Sequence, residues 1–388
     1  MDNKEQDKKQ TLNDTANHIL WIDGIKGISC IFIFLHHFFL RVFPASYYGA
    51  AEESKLFGID TFLSSSPLGL FLNGNFFVFL YLFISGYVIT YQVFRIKPEN
   101  LGVFHLKRYL KLSFPLAVFC VIFYILIKLD LCDSSSASLF MTVKQPLYKI
   151  LYFGDTSYGG HFWMMPHIFL GGIFVSIIAA TSHALKIKKI FLISLFFTAI
   201  LSISMTWHYL TIFLACSYCI FEKLQLNTLH ETEARHSKLT KLIFLIFLLL
   251  SIFLGAYPSG YMPENFYKYI TLPLKPERSY HFYHMTAAFL LFVSVKKLNV
   301  LQSFFESKPC MFLAKISYAF FIFHGATQPA THPIFEMIFS STNNYVLSAT
   351  VYLCISLAAT VFISFILTKY AFIPFGTFVN KKINSWRK

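Results

Sequence analysis

The stretch Trp21-Ile22-Asp23-Gly24-Ile25-Lys26-Gly27-Ile28, running on to Leu35-His36-His37-Phe38, decides how the chain is read. A polar cluster opens a long apolar run, and two histidines lie inside that run. On one α-helix Lys26 and His37 are eleven residues apart. At ~100° per residue that is almost a whole number of turns, so both leave the same face. At ~1.5 Å rise per residue they stand roughly 16 Å apart along the axis. One face then carries a cation near one membrane surface and an imidazole deep inside. Two readings are open here. Ionisable side chains are costly in hydrocarbon and mark functional sites. Equally, Lys26 can snorkel to the interface while His37 only bonds a neighbouring helix.

The 388-residue chain is 56% hydrophobic and only 13% charged, with 47 phenylalanines. A soluble domain carries about twice that charged fraction. Apolar segments of about 16 to 25 residues recur along the whole length, the pattern of an all-α, polytopic membrane protein. The first segment lacks a small-residue cleavage site and reads as an anchor. The formal charge of +14 does not point to nucleic acid. The basic residues lie in short loops between apolar segments, where membrane orientation and anionic headgroups account for them. Most of the seven cysteines lie inside apolar segments and build no disulfide framework. Cys216 and Cys219 have metal-like spacing, but no second pair accompanies them, and no metal is expected.

Ten spans are predicted, near 19–43, 75–94, 112–129, 162–182, 188–205, 207–222, 241–257, 281–296, 311–329 and 346–372. With the N-terminus in the cytoplasm, the inner segments hold roughly 24 of the Lys and Arg residues and the outer ones roughly 8. That asymmetry predicts both termini inside. Residues 1–18 are then a polar cytoplasmic tail, 19–372 the membrane domain and 373–388 a basic cytoplasmic tail. The outer segment 44–74 carries Glu52, Glu53 and Asp60; the outer segment 258–280 is rich in proline and tyrosine. These tyrosines form either an aromatic belt or a surface on which sugars stack.

Four more stretches carry polar groups into the apolar pattern. In Phe104-His105-Leu106-Lys107-Arg108-Tyr109-Leu110-Lys111 to Pro115, helical spacing gathers Lys107, Arg108 and Lys111. Such a cluster suits either a cytosolic polyphosphate or lipid headgroups. The span beginning Asn75-Phe76-Phe77 holds the pair Ser85-Gly86, small residues that let helices approach. Gly160-His161-Phe162-Trp163-Met164-Met165-Pro166-His167 opens another span. Lys315-Ile316-Ser317-Tyr318, continuing to His324, again sets a histidine inside an apolar helix. His281 and His284 share one helical face and read as interfacial.

In order, these pieces resemble the integral-membrane acyltransferase 3 family, bacterial O-acyltransferases of surface polysaccharides and related acceptors. Asp23, Lys26, Gly27 and His37 are similar to the family's Asp-x-x-Arg-Gly opening and its intramembrane histidine. Ser85-Gly86 looks like the family's Ser-Gly motif, and Arg108 to Pro115 like its Arg-x-x-Arg loop. Trp163-Met164-Met165-Pro166 resembles its Leu-Trp-x-Leu segment, and Ile316-Ser317-Tyr318 with His324 its Ile-Ser-Tyr…His segment. Lys26 and Lys111 stand where the family has arginine, keeping the charge and losing the planar fork. Ile168 replaces a glutamate that many members carry, and with the sequence ending soon after the tenth predicted span, the esterase-like domain that some members append is not expected.

The resemblance implies an O-acyltransferase, in the first instance an acetyltransferase. Its donor is a cytosolic acyl-CoA used as co-substrate, with no permanently bound cofactor; its acceptor is a carbohydrate hydroxyl. His37 is the expected general base. Arg108, Lys111, Lys107 and Lys26 are the expected grip on the donor's phosphates. Asp23, His36, Ser85, Trp163 and His324 are supporting candidates. Expected partners are membrane lipids, the glycan acceptor and other polysaccharide-assembly proteins, in the cell's inner membrane. A ten-span transporter or flippase of a glycan precursor is the alternative, its histidines relaying protons; a catalytically dead scaffold in an export complex is a third reading.

Overall fold

The computed structural model describes residues 19–49, 53–129, 138–185, 207–226, 238–260, 262–273 and 278–385. Among these the secondary structure is helical throughout. The long helices are α1 (Leu20–Val42), α2 (Gly74–Val93), α3 (Leu101–Lys128), α4 (Met165–Leu185), α5 (Trp207–Leu226), α6 (Lys238–Gly255), α7 (Ser279–Lys297), α8 (Lys308–Thr342), α9 (Tyr345–Leu367) and α10 (Ile373–Ser385). Nine of the ten predicted spans fall on α1 to α9; the one at 188–205 lies outside the described residues. Seven described helices are long and apolar enough to cross a membrane, or eight if α7 counts with the helix Asn299–Phe305, bent from it by 99°. The protein is therefore a multi-pass membrane protein. α5 is not among the seven: Trp207, His208, Glu222 and Lys223 dilute its apolar character.

Two boundaries differ from the sequence reading. α3 starts at Leu101, so the basic cluster belongs to the same helix as the span that follows it. It also runs through Pro115, whose missing N–H costs one helical hydrogen bond. The predicted C-terminal tail is largely the helix α10, which packs on α3: Phe375 stacks on Phe114 with ring centroids 3.9 Å apart.

Burial separates the centre from the lipid-facing rim. The apolar window of α2 is 72% buried, that of α6 only 11%. α2 is accordingly the central helix. α6 leaves Leu242, Leu245, Ile246 and Leu249 exposed, apolar surface that lipid tails solvate. In such a medium helices associate by close packing and interhelical hydrogen bonds. Tyr87 on α2 donates to Glu222 Oε2 on α5 at 2.9 Å. Lys296 on α7 donates to Tyr87 Oη at 2.8 Å and pairs with Glu222, so three helices share one polar knot.

α1 and α8 hold the arrangement that matters for function. Gly27 lies against Ala314, so closely that a Cβ there would sit 2.5 Å from the Ala314 nitrogen. Farther along, Cys30 Sγ donates to Ser317 O at 3.3 Å across 287 residues of chain. The rings of His37 and His324 then meet at 5.2 Å. Each contact advances equally on both helices, so α1 and α8 run parallel and in register.

Candidate active site

A cavity of about 370 Å³ lies where α1 and α8 meet the short 3₁₀ turn Gly160–Met164. α1 contributes His37, Leu40 and Arg41; α8 contributes His324, Gly325, Gln328 and Pro329; the turn contributes Gly160 and His161. Three imidazoles thus surround one space. The His324 ring is 5.2 Å from that of His37 and 4.6 Å from that of His161, centroid to centroid.

Hydrogen bonds fix two of the three rings. His324 Nδ1 lies 2.7 Å from Phe321 O. A carbonyl only accepts, so Nδ1 carries the hydrogen and Nε2 of the neutral ring keeps its lone pair. That Nε2 is buried and has no hydrogen-bond partner among the described residues. His161 is the mirror case: Nε2 donates to Ile322 O at 3.1 Å, leaving the lone pair on Nδ1. Such oriented, incompletely satisfied nitrogens can take up a proton or hold a hydroxyl.

The backbone of α8 is shaped around these rings. A Cβ on Gly325 would lie 2.2 Å from His161 Cε1, so only glycine admits the ring. Pro329 has no N–H to give the Gly325 carbonyl, its usual helical acceptor, and both residues line the cavity. Gln328 ties α8 to its neighbours: Nε2 donates to Phe34 O at 2.9 Å and its backbone carbonyl accepts from Tyr352 Oη at 2.8 Å.

His36 leaves α1 on another side. Its Nδ1 donates to Leu72 O at 2.8 Å, and its ring packs so tightly on Gly74 that a Cβ there would lie 2.5 Å from Cγ. It is a packing histidine next to a cavity histidine.

The four cations proposed for the donor have different partners in the fold. Lys26 pairs with Asp23 at 3.0 Å, one turn back on α1. Arg108 is turned towards α4: Nη2 donates to Ile168 O at 2.6 Å and Nη1 to Phe169 O at 3.2 Å. Gly172 makes room for that guanidinium, since a Cβ would sit 2.1 Å from Nη1. Lys107 donates to Asn384 Oδ1 on α10 at 2.7 Å, and the exposed Lys111 passes close to Gly376 of the same helix.

Two supporting candidates lie away from the cavity. Ser85 is half-buried on α2, and its neighbour Gly86 touches the Ile212 carbonyl of α5, where a Cβ would lie 2.4 Å away. Trp163 packs on His208 and His167, at 4.8 and 5.9 Å between centroids, in a second aromatic cluster that includes His281. His284 is fully buried, with Nε2 3.0 Å from Tyr257 O. Its helical face alone did not reveal this cover by the Tyr257 backbone.

His161, Gly325 and Arg41 line the cavity although sequence reasoning did not select them. His161 and Gly325 had a signal: His161 lies within the quoted stretch Gly160 to His167, and Gly325 directly follows His324. Arg41 had a weaker one, its i+4 spacing from His37.

A family model described as an acyltransferase domain matches residues 19–369. No curated protein and no solved structure matches the chain.

Proposed function

The chain belongs to the acyltransferase 3 family, and from that premise we propose that it moves an acyl group, acetyl in the first instance, from cytosolic acyl-CoA to a glycan hydroxyl in the cell envelope. The observation carrying this reading is the enclosure of one cavity by His37, His161 and His324. His37 is the general base. It takes the proton of the acceptor hydroxyl as that oxygen attacks the thioester carbonyl. The C–S bond then breaks, the ester is released, and the coenzyme A thiolate recovers the proton. His324, with its hydrogen on Nδ1, keeps a buried, unpartnered Nε2 lone pair in the cavity wall, and His161 closes that wall.

The donor's phosphates are assigned to the cationic ends of α1 and α3. Two of the five N–H groups of Arg108 are spent on α4 carbonyls, so three remain for a phosphate. Lys107, Lys111 and Lys26 supply point charges around it. Because Lys26 and His37 sit on one helix, a pantetheine arm laid along α1 carries the thioester from the first to the second. The test is reconstitution in lipid discs with radiolabelled acetyl-CoA, together with mass spectrometry of surface glycans from cells with and without the protein. Glycans of equal mass in both cell lines, with no label transferred, would overturn the reading.

A further inference from the structure

We propose that Arg41 makes the outer end of this cavity an anion subsite, and that the acceptor carries a carboxylate or phosphate beside the hydroxyl that is acylated. The inference rests on the acyl-transfer reading and names its substrate class.

Arg41 is one helical turn beyond His37 on α1, and both line the same space. Its side chain is exposed, and it forms no ion pair with a carboxylate among the described residues. The remainder of the wall contains no acidic side chain: three histidines, a glutamine, glycines, a leucine and a proline. Among the described lining residues the cavity therefore presents one fixed positive charge and no carboxylate to cancel it. A cation at the last turn of a helix also meets the negative end of the helix dipole. That accounts for tolerance of Arg41 at the position but not for its place in a cavity wall. The chain keeps most of its basic residues on the predicted inner side, so an arginine at the predicted outer end goes against the distribution. The donor's phosphates are assigned to the opposite end of α1, roughly 22 Å from Arg41 by helical rise, so the charge at Arg41 is left for the acceptor. A guanidinium forks onto carboxylate and phosphate alike, and the cavity lies within the size range of small-molecule sites.

The experiment uses the full chain in phosphatidylcholine discs. Binding of cellobiouronic acid and glucose 6-phosphate is compared with binding of cellobiose and glucose by calorimetry, and label transfer from acetyl-CoA is followed in parallel. Wild-type protein is expected to prefer the charged sugars, and Arg41→Gln to lower the charged-to-neutral ratio by about ten- to a hundred-fold, the worth of a charge-assisted contact. Arg41→Lys is expected to retain part of the preference. Equal binding of charged and neutral sugars by the wild type, or an unchanged ratio in Arg41→Gln, overturns the inference. A parallel arm adds phosphatidylglycerol. If Arg41 governs retention of that lipid and no sugar preference exists without it, the anion is a headgroup phosphate and the acceptor inference also fails. Charge-selective binding without acyl transfer would sink the acyltransferase reading and leave the subsite standing. Transfer without charge selectivity would do the reverse.

Discussion

His37 and His324 face each other at 5.2 Å because α1 and α8 are parallel and in register. From Cys30 to His37 and from Ser317 to His324 is seven residues in each case, two turns of helix. The Cys30–Ser317 hydrogen bond therefore sets the height at which the two imidazoles meet. The glycine contact at Gly27 sets how closely they meet.

The first prediction separates the adjacent histidines. Glutamine keeps approximate polarity but takes no proton, so His37→Gln is expected to lower transfer by roughly 10²–10⁴-fold with insertion intact. His36→Gln removes the bond to Leu72 and is expected to cost only about 0.6–2 kcal/mol of stability. The measurement is acyl transfer per folded molecule. A larger loss at position 36 would remove His37 from the mechanism.

Gly325 offers a second test, without touching an imidazole. In Gly325→Ala the new methyl meets a rigid ring at 2.2 Å, so His161 must move. Overpacking of this kind costs about 1–3 kcal/mol, and a displacement near 1 Å at a reacting centre can cost about 10²-fold in rate. Gly102→Ala is the control, because nothing lies within 4 Å of its Cβ position. Equal transfer by the two variants would show that His161 is not part of the working site.

The donor assignment is tested through Arg108 and its neighbour. Arg108→Ala is expected to weaken acetyl-CoA binding about ten- to a hundred-fold, and Arg108→Lys less. Gly172→Ala should reproduce part of that loss, since its methyl occupies the guanidinium's place, 2.1 Å from Nη1. Isothermal titration with acetyl-CoA reads both. If stability falls while affinity holds, Arg108 serves only to join α3 to α4.

Topology gives the fourth prediction. Parallel helices enter from one side, so an odd number of crossings separates α1 from α8. The apolar helices α2, α3, α4 and α6, with α7 counted together with its bent partner Asn299–Phe305, supply five. α5 then crosses only if one further segment does, and the predicted span at 188–205 is what the sequence offers. Cysteine probes at Ser65 and Ser259 are expected to label from outside, and one at Asn100 to stay protected. Labelling at Asn100 from outside would invert the donor assignment along with the topology.

Composition and helical periodicity determined the membrane class, most of the helices and the order of the family motifs. They also put Lys26 and His37 on one face, because a 3.6-residue repeat is a local property of one segment. They left His36 and His37 to be ranked by angle alone. Only the tertiary structure decided that His36 is spent on Leu72 O while His37 lines a cavity with His324 and His161. The same holds for Arg108, drawn from a basic helix face onto the carbonyls of α4 by the gap at Gly172. It holds too for Trp163, whose motif lies beside the site while its ring faces His208. The physical reason is common to all three. Which groups meet across a helix pair depends on register and on where a missing side chain lets backbones close, and a periodicity within either helix specifies neither.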